Sequence, residues 1–123
     1  MDNQNIVSKL EKLQQMDGFI GAALVDSDSG MVLGSLGGNA SINLEVASAG
    51  DTQVIRAKRK TMSNLGMSDE IEDVLVTTSK QYHLLRPLRS RSAVFFCLLL
   101  DRSRANLAMA RMTLADTEKD LSF

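Results

Sequence analysis

Two stretches of this chain are apolar at nearly every position, and they constrain the fold more than any other feature. They are residues 19–25 (FIGAALV) and 93–100 (AVFFCLLL). A strand with one face in water alternates apolar and polar residues, whereas a strand that is apolar throughout is covered on both faces. The two stretches therefore predict a sheet that lies between two layers of helices.

Three further segments complete the predicted sheet. The turn DSDSG follows the first strand and ends in Gly30, which tolerates positive φ, so we expect a β-hairpin there. In the second half, a short loop at Ser79-Lys80-Gln81 separates two more strands, which continue into residues 93–100 as a meander. The five predicted antiparallel strands are residues 19–25, 31–36, 73–78, 82–88 and 93–100.

The longest predicted element is a helix at residues 41–65, with Ser41 as its N-cap and Gly66 ending it in the left-handed conformation. At 100° per residue its apolar stripe is unusually wide. The stripe contains Leu44, Ala47, Val54, Ile55, Met62 and Leu65, and is widened by Val46, Gly50, Ala57 and Thr61. The polar side contains Glu45, Thr52, Gln53, Arg56, Arg59, Lys60 and Ser63. Because one core needs a narrower stripe, the width predicts a second packing surface.

Two shorter amphipathic helices are predicted near the ends of the chain. The first covers residues 3–16, and the second begins at Asp101 or Ser103 as N-cap. Their leucines and isoleucine recur at helical spacing: Ile6, Leu10 and Leu13 in the first, and Leu107, Leu114 and Leu121 in the second. We place both helices on the opposite face of the sheet from the long helix. The fold class is thus α/β (α+β), a three-layer α/β/α arrangement.

Composition favours one globular domain and weakens several classes of function. The chain has 123 residues, of which 44% are hydrophobic and 24% charged, and its formal net charge is −1. We therefore expect a single domain over residues 1–123, an N-terminal helix at 1–16 and a core at 17–123, with no nucleic-acid or membrane partner. Cys97 is the only cysteine, which excludes an internal disulfide and, with no long apolar segment, favours a soluble cytoplasmic protein.

The sequence offers little to catalysis or to cofactors. His83 lies in a predicted strand without a second histidine, and no nucleophile stands beside a base or within a metal-ligand set. The segment GSLGGNAS joins a strand to the long helix, a context that can hold phosphate, but it lacks the Lys of a P-loop. We therefore expect no enzymatic activity, no metal and no cofactor.

The order of these segments resembles the Roadblock/dynein light chain family, in the form of a bacterial single-domain member. The resemblance covers residues 18–114 and is carried by GFIGAALVDSDSGMVLGSL, the central helix, DVLVTTSKQYHLLRPL and SAVFFCLLLDRSRANLAMARMTL. It implies a profilin-like sheet that dimerises through the central helices and the edge strand after each one. It also implies binding to small Ras-like GTPases as an adaptor, scaffold or GTPase-activating partner, with no shared catalytic residues.

A dimer would use the width of the long helix and the strand that follows it. The candidate interface residues are Ala47, Gly50, Asp51, Val54, Ala57, Lys58, Thr61, Val74, Val76 and Thr78. Asp51 and Lys58 both project into the stripe, where an unpaired charge is costly, and an antiparallel crossing would place Asp51 of one copy beside Lys58 of the other. The alternatives are packing of the whole stripe on the chain's own sheet, and an ordinary outer strand at residues 73–78.

A basic cluster on the same helix is a candidate for binding a third molecule. Arg56, Arg59 and Lys60 either form a solvated face or meet the acidic surface of a GTPase. The predicted function is therefore a homodimer, or a dimer with another Roadblock chain, that binds a small Ras-like GTPase and changes its activity or location. The alternatives are a PAS-like or profilin-like sensor of a small ligand, and an adaptor of the dynein light chain type. The role of the N-terminal helix stays open.

Overall fold

The computed structural model describes residues 3–39 and 41–121, and its helices and strands follow the predicted order. They are α1 (Asn3–Gln14), β1 (Phe19–Asp26), β2 (Val32–Gly37), α2 (Leu44–Asn64), β3 (Val74–Thr77), β4 (Gln81–Pro87), β5 (Val94–Asp101) and α3 (Leu107–Lys119). Strand β3 is shorter than the predicted residues 73–78 because Thr78 belongs to the next turn. Its hydroxyl accepts the backbone N–H of Gln81 at 2.9 Å, and its own N–H donates to the Gln81 carbonyl.

The five strands form one antiparallel sheet in the order β2-β1-β5-β4-β3. The two strands that are apolar at nearly every position, β1 and β5, are adjacent in its centre, and their buried residues pack with one layer of helix or the other. Even-numbered residues of β5, such as Phe96 and Leu98, pack with α1 and α3. Odd-numbered residues, such as Phe95 and Leu99, pack with α2. The predicted three-layer arrangement is thus confirmed.

The helix caps differ from the predicted ones. The N-cap of α2 is Asn43, whose side-chain oxygen accepts the backbone N–H groups of Glu45 at 2.9 Å and Val46 at 3.2 Å. The predicted cap, Ser41, precedes the helix because Asn39 and Ile42 form an isolated bridge that ends the loop. At the other end the prediction is confirmed, since Gly66 follows α2 with φ of +70°.

The N-cap of α3 is Asn106 and not Asp101 or Ser103 as predicted. Its side-chain oxygen accepts the backbone N–H of Met109 at 3.1 Å. The Asp101 carboxylate instead accepts the N–H and the hydroxyl of Ser103, at 3.0 and 2.8 Å, which turns the chain out of β5. Asparagine fits the cap position as well as Asp or Ser does, so the residue types alone could not decide between the candidates.

Candidate functional site

The wide apolar stripe of α2 divides between two surfaces. The side that faces the sheet is buried and consists of Leu44, Ser48, Thr52, Ile55 and Met62. The other side, here called the outer stripe, consists of Val46, Ala47, Gly50, Val54, Ala57, Thr61 and Leu65. Within it, Val46, Val54 and Leu65 have 69%, 38% and 67% of their surface exposed. The protomer therefore covers only part of the stripe, and an apolar helix face stays open to a second molecule.

One polar residue lies on the buried side contrary to the sequence prediction. Thr52 was expected on the polar side of α2, but it is 1% exposed. Its hydroxyl donates to the Ser48 carbonyl one turn earlier at 2.8 Å, which satisfies the donor without any contact to water. This internal bond makes a threonine acceptable against the sheet.

Gly50 lies in the outer stripe without a structural reason in its own protomer. A Cβ built at this position meets no atom within 4 Å, and the residue has ordinary helical φ. Glycine in the interior of a helix costs about 1 kcal/mol relative to alanine. Because nothing in the chain requires the missing side chain, the position is suited to the close approach of another backbone.

Asp51 lies at the border between the buried side of α2 and the outer stripe, which is the middle of the wide apolar stripe in which the sequence placed it. The Cys97 thiol on β5 donates to its Oδ2 over 3.0 Å. Burial raises the pKa of Asp51, and the Cys97 bond and the nearby His83 on β4 oppose that shift. His83 itself is held by its Nε2, which lies 2.7 Å from Oε1 of Gln81. A carboxylate is thus half-buried on the face that α2 shares with β4 and β5.

The Cys97 thiol is suited to donate and not to react. Burial, and then the neighbouring Asp51 charge, raise its pKa well above the ordinary 9.0. A thiol with a raised pKa stays protonated at neutral pH, and only the thiolate is a strong nucleophile. Cys97 therefore acts as a fixed hydrogen-bond donor to Asp51.

Lys58 lies two turns after Asp51 on the same border of α2. Its side chain is exposed, and the ion pairs among residues 3–39 and 41–121 do not include it. The protomer thus presents one acidic and one basic group along the outer stripe, each without an oppositely charged partner in the described part of the chain.

The basic cluster of α2 is partly used inside the protomer. The Arg56 guanidinium donates to the carbonyls of Ser27, at 2.9 Å, and Asp28 in the β1–β2 turn. Arg59 donates to the Ser27 hydroxyl at 3.3 Å and to the Ser92 carbonyl before β5. These bonds fix α2 to one end of the sheet, which explains two of the three candidate partner-binding residues without a partner. Lys60 is exposed beside them.

The edge of β3 offers backbone groups to a further strand. Thr78 pairs with Gln81 through a hydrogen bond, and the pairs alternate along an antiparallel ladder, so Val76 also bonds to β4. The N–H and C=O groups of Leu75 and Thr77 consequently point away from the sheet. Val76 is 41% exposed and lies on the same face as Val74, which packs with the α2 core. Neither Lys, Arg nor Pro interrupts β3.

Solved structures share this architecture along nearly the whole chain. A gliding protein, MglB from Thermus thermophilus, matches it with a TM-score of 0.78 at 16% identity, over 97% of this chain and 87% of its own. A Roadblock/LC7 domain from Streptomyces avermitilis matches with a TM-score of 0.77 at 16% identity, over 97% and 93%. An MglB structure with a tetrameric arrangement matches with a TM-score of 0.77 at 15% identity, over 95% and 85%.

This chain has the Roadblock fold. No family model and no curated protein sequence matches it, and a likeness at such low identity concerns the fold and not the activity. A five-stranded antiparallel sheet between helices is what the sequence resemblance implied, and α1 and α3 lie opposite α2 as the sequence predicted.

Outside the outer stripe of α2 and the edge of β3, the described residues of this Roadblock fold show fewer features of a binding site. Among residues 3–39 and 41–121, no three His, Cys, Asp or Glu side chains are grouped to hold a metal ion. Within the same residues, none of the helices combines the length and apolar character of a bilayer crossing. An open cleft of about 1010 Å³ lies between the end of α2 and the β4–β5 loop, and Arg59, Arg86, Asp69 and Glu70 line it with both signs of charge.

Sequence reasoning missed two parts of the candidate surface. One is the Cys97 contact to Asp51, although the alternation in β5 puts Cys97 on the same face as Phe95 and Leu99. The other is which backbone N–H and C=O groups of β3 point away from the sheet, because that depends on which β3–β4 residue pairs are hydrogen-bonded. The turn at Thr78 and Gln81 contained that signal, because it fixes the alternation for the whole ladder.

Proposed function

We propose that this chain is a non-enzymatic regulator or scaffold that forms a dimer and binds a small Ras-like GTPase. The dimer is a homodimer, or a pair with another Roadblock chain, and works in the cytoplasm. The observation that carries the proposal is the outer stripe of α2. It exposes Val46, Val54 and Leu65 around Gly50, a glycine that no contact within the protomer requires. The Roadblock fold supports the assignment, because GTPase binding is what the sequence resemblance implies.

Two surfaces of each protomer contribute to the proposed dimer. The outer stripes pack against each other, with Ala47, Gly50, Val54, Ala57 and Thr61 allowing the two helices to approach closely. The exposed edges of β3 pair and extend the sheet, since Leu75 and Thr77 direct free N–H and C=O groups outward. Val74 and Val76 then lie near the twofold axis on the α2 face.

The proposed GTPase contacts the dimer and not a pocket in one protomer. The Lys60 side chain is exposed and makes no hydrogen bond or ion pair among the described residues, so it suits an acidic partner surface, whereas Arg56 and Arg59 support it by fixing α2. The sensor alternative requires a buried polar pocket. The cleft near the end of α2 is open, and therefore does not favour it.

The test is a comparison of a dimeric and a monomeric form of the chain as bait. Immobilised wild-type chain and the Gly50→Leu variant are incubated with native lysate that has been loaded with GDP or with a non-hydrolysable GTP analogue. We expect mass spectrometry to identify a Ras-like GTPase on the wild-type chain and to find it reduced on the variant. Absence of any GTPase in both nucleotide states contradicts the proposal.

A recovered GTPase then allows the regulatory effect to be measured. The purified GTPase is assayed for GTP hydrolysis with wild-type chain and with Lys60→Glu, whose charge reversal lies on the exposed basic cluster. We expect weaker binding of Lys60→Glu, because acidic and basic surfaces attract. If wild-type chain and Lys60→Glu bind the GTPase equally well, the GTPase does not contact the basic cluster of α2.

A further inference from the structure

Asp51 is a charged group for which its own protomer supplies no cation at ion-pair distance. Its carboxylate is half-buried, and Oδ2 is occupied by the Cys97 thiol. No ion pair among the described residues includes Asp51. A carboxylate removed from water without a counter-charge is unfavourable, because the thiol is a weak donor and replaces little of the lost hydration. The missing cation is therefore expected from outside the protomer.

Lys58 has the complementary property on the same helix. It is seven residues from Asp51, a separation of about 10 Å along the helix axis, which is too long for an easy bridge within one helix. Both residues lie on the same border of the outer stripe, and the groups facing Asp51 are His83 on β4 and Cys97 on β5. Two copies that cross antiparallel near Val54 and Ile55 bring each acidic group beside the other copy's basic group.

We propose that Asp51 of one copy forms an ion pair with Lys58 of a second copy of this chain. The inference depends on the dimer proposed above and adds the residues that select its partner. Twofold symmetry makes the contact twice, once on each side of the axis. If a partner chain has no charge at one of these positions, the Asp51 carboxylate or the Lys58 ammonium of this chain is left unpaired at the interface. The pair therefore favours the homodimer over a dimer with a chain that lacks these two charges.

The experiment uses two charge-reversed variants, Asp51→Lys and Lys58→Glu, alone and mixed. Alone, each variant puts like charges together at both contacts, and we expect its dimer dissociation constant to rise by about tenfold or more. Mixed in equal amounts, they form a heterodimer in which one contact is Lys–Glu and the other is the original Asp–Lys. We therefore expect native mass spectrometry to show the heterodimer in preference to either homodimer.

Lys60→Glu is the matched control, since it makes the same charge change on the same helix away from the outer stripe. Its homodimer is expected to form as the wild-type homodimer does. If Lys58→Glu dimerises as well as Lys60→Glu, or if the folded single variants do not prefer each other in a mixture, the ion pair is wrong. Should Asp51→Lys not fold, Asp51→Asn replaces it, and its mixture with Lys58→Glu still retains one original pair and favours the heterodimer.

Failure of the ion pair and failure of the dimer give different results. If the dimer exists without this contact, wild-type chain and both charge variants sediment as dimers while Gly50→Leu does not. If the dimer itself is wrong, the wild-type chain sediments as a monomer at every concentration, and both proposals are overturned.

Discussion

At the scale of single residues, Asp51 is held partly out of water beside an uncharged thiol. Burial raises its pKa above the ordinary 3.8 in the folded chain. Between pH 3.8 and the raised value, the folded chain keeps a proton that the unfolded chain has released. The free energy of unfolding therefore falls as the pH rises through this window, and the cost remains in full above it. Asp51 thus weakens the isolated protomer at neutral pH.

We predict that Asp51→Asn stabilises the protomer at pH 7 but not at pH values below 3.8, where aspartate is protonated in both states. The measurement is urea unfolding across this pH range in the monomeric Gly50→Leu background, so that dimerisation does not contribute. If the free energy of unfolding of the two chains depends on pH in the same way, burial of the Asp51 carboxylate does not destabilise the protomer. If Asp51→Asn stabilises the protomer and also weakens the dimer, the carboxylate of Asp51 contributes to the contact between copies and not to the stability of the single chain.

The sequence could identify Asp51 but not its surroundings. Helical projection placed it in the apolar stripe, and the structure adds that the Cys97 thiol on β5 donates to its Oδ2. That contact depends on how Leu44 and Ile55 of α2 pack on the sheet, which no local pattern records. The same packing buries Thr52.

At the scale of elements, α2 has a glycine in its interior and another just after its end. Gly50 and Gly66 both have open space where a Cβ would be, but only Gly66 has positive φ, at +70°. Substitutions at Gly50 therefore measure helix propensity, and substitutions at Gly66 measure the strain of a left-handed backbone. The terminal glycine was predictable from sequence, since a helix end favours it, whereas the open space at Gly50 required the packed structure.

We predict opposite effects of alanine at these two positions. Gly50→Ala stabilises the protomer by about 0.5–1 kcal/mol through helix propensity, and Gly66→Ala destabilises it by about 1–2 kcal/mol through the left-handed backbone. Urea unfolding at concentrations where the chain is monomeric gives both values. In the same variants, only Gly50→Ala is expected to weaken the dimer, because its methyl group lies between the two helices. A dimer unaffected by Gly50→Ala would place the contact elsewhere.

The edge of β3 gives a second test at this scale. Thr77→Pro removes an N–H that points away from β4, so it spares the ladder within the protomer and removes a donor from the proposed pairing of the two β3 strands. We expect the dimer to weaken while the monomeric fold keeps most of its stability. Thr77→Val keeps the N–H and serves as the control. Proline at Val76 would be uninformative, because that N–H bonds to β4.

At the scale of the whole molecule, the sequence predicted the layers because residues 19–25 and 93–100 are apolar at nearly every position. Such strands can only lie inside a sheet that is covered on both faces. The predicted hairpins place β1 beside β2 and β4 beside both β3 and β5, whereas the pairing of β1 with β5 appears only in the structure and completes the order β2-β1-β5-β4-β3. The division of α2 between its own sheet and an open face was predicted only as an excess of apolar width, because exposure depends on the packed arrangement of all three layers.

The central claim is that the outer stripe of α2 is where two copies of this chain meet. Sedimentation velocity of wild-type chain, Gly50→Leu and Ala49→Leu tests it, because Ala49 is exposed on the side of α2 away from the stripe. We predict that wild type and Ala49→Leu sediment at twice the mass of the 13.4 kDa chain, and that Gly50→Leu sediments as a monomer. A monomeric wild type, or a Gly50→Leu chain that stays dimeric, would contradict the account.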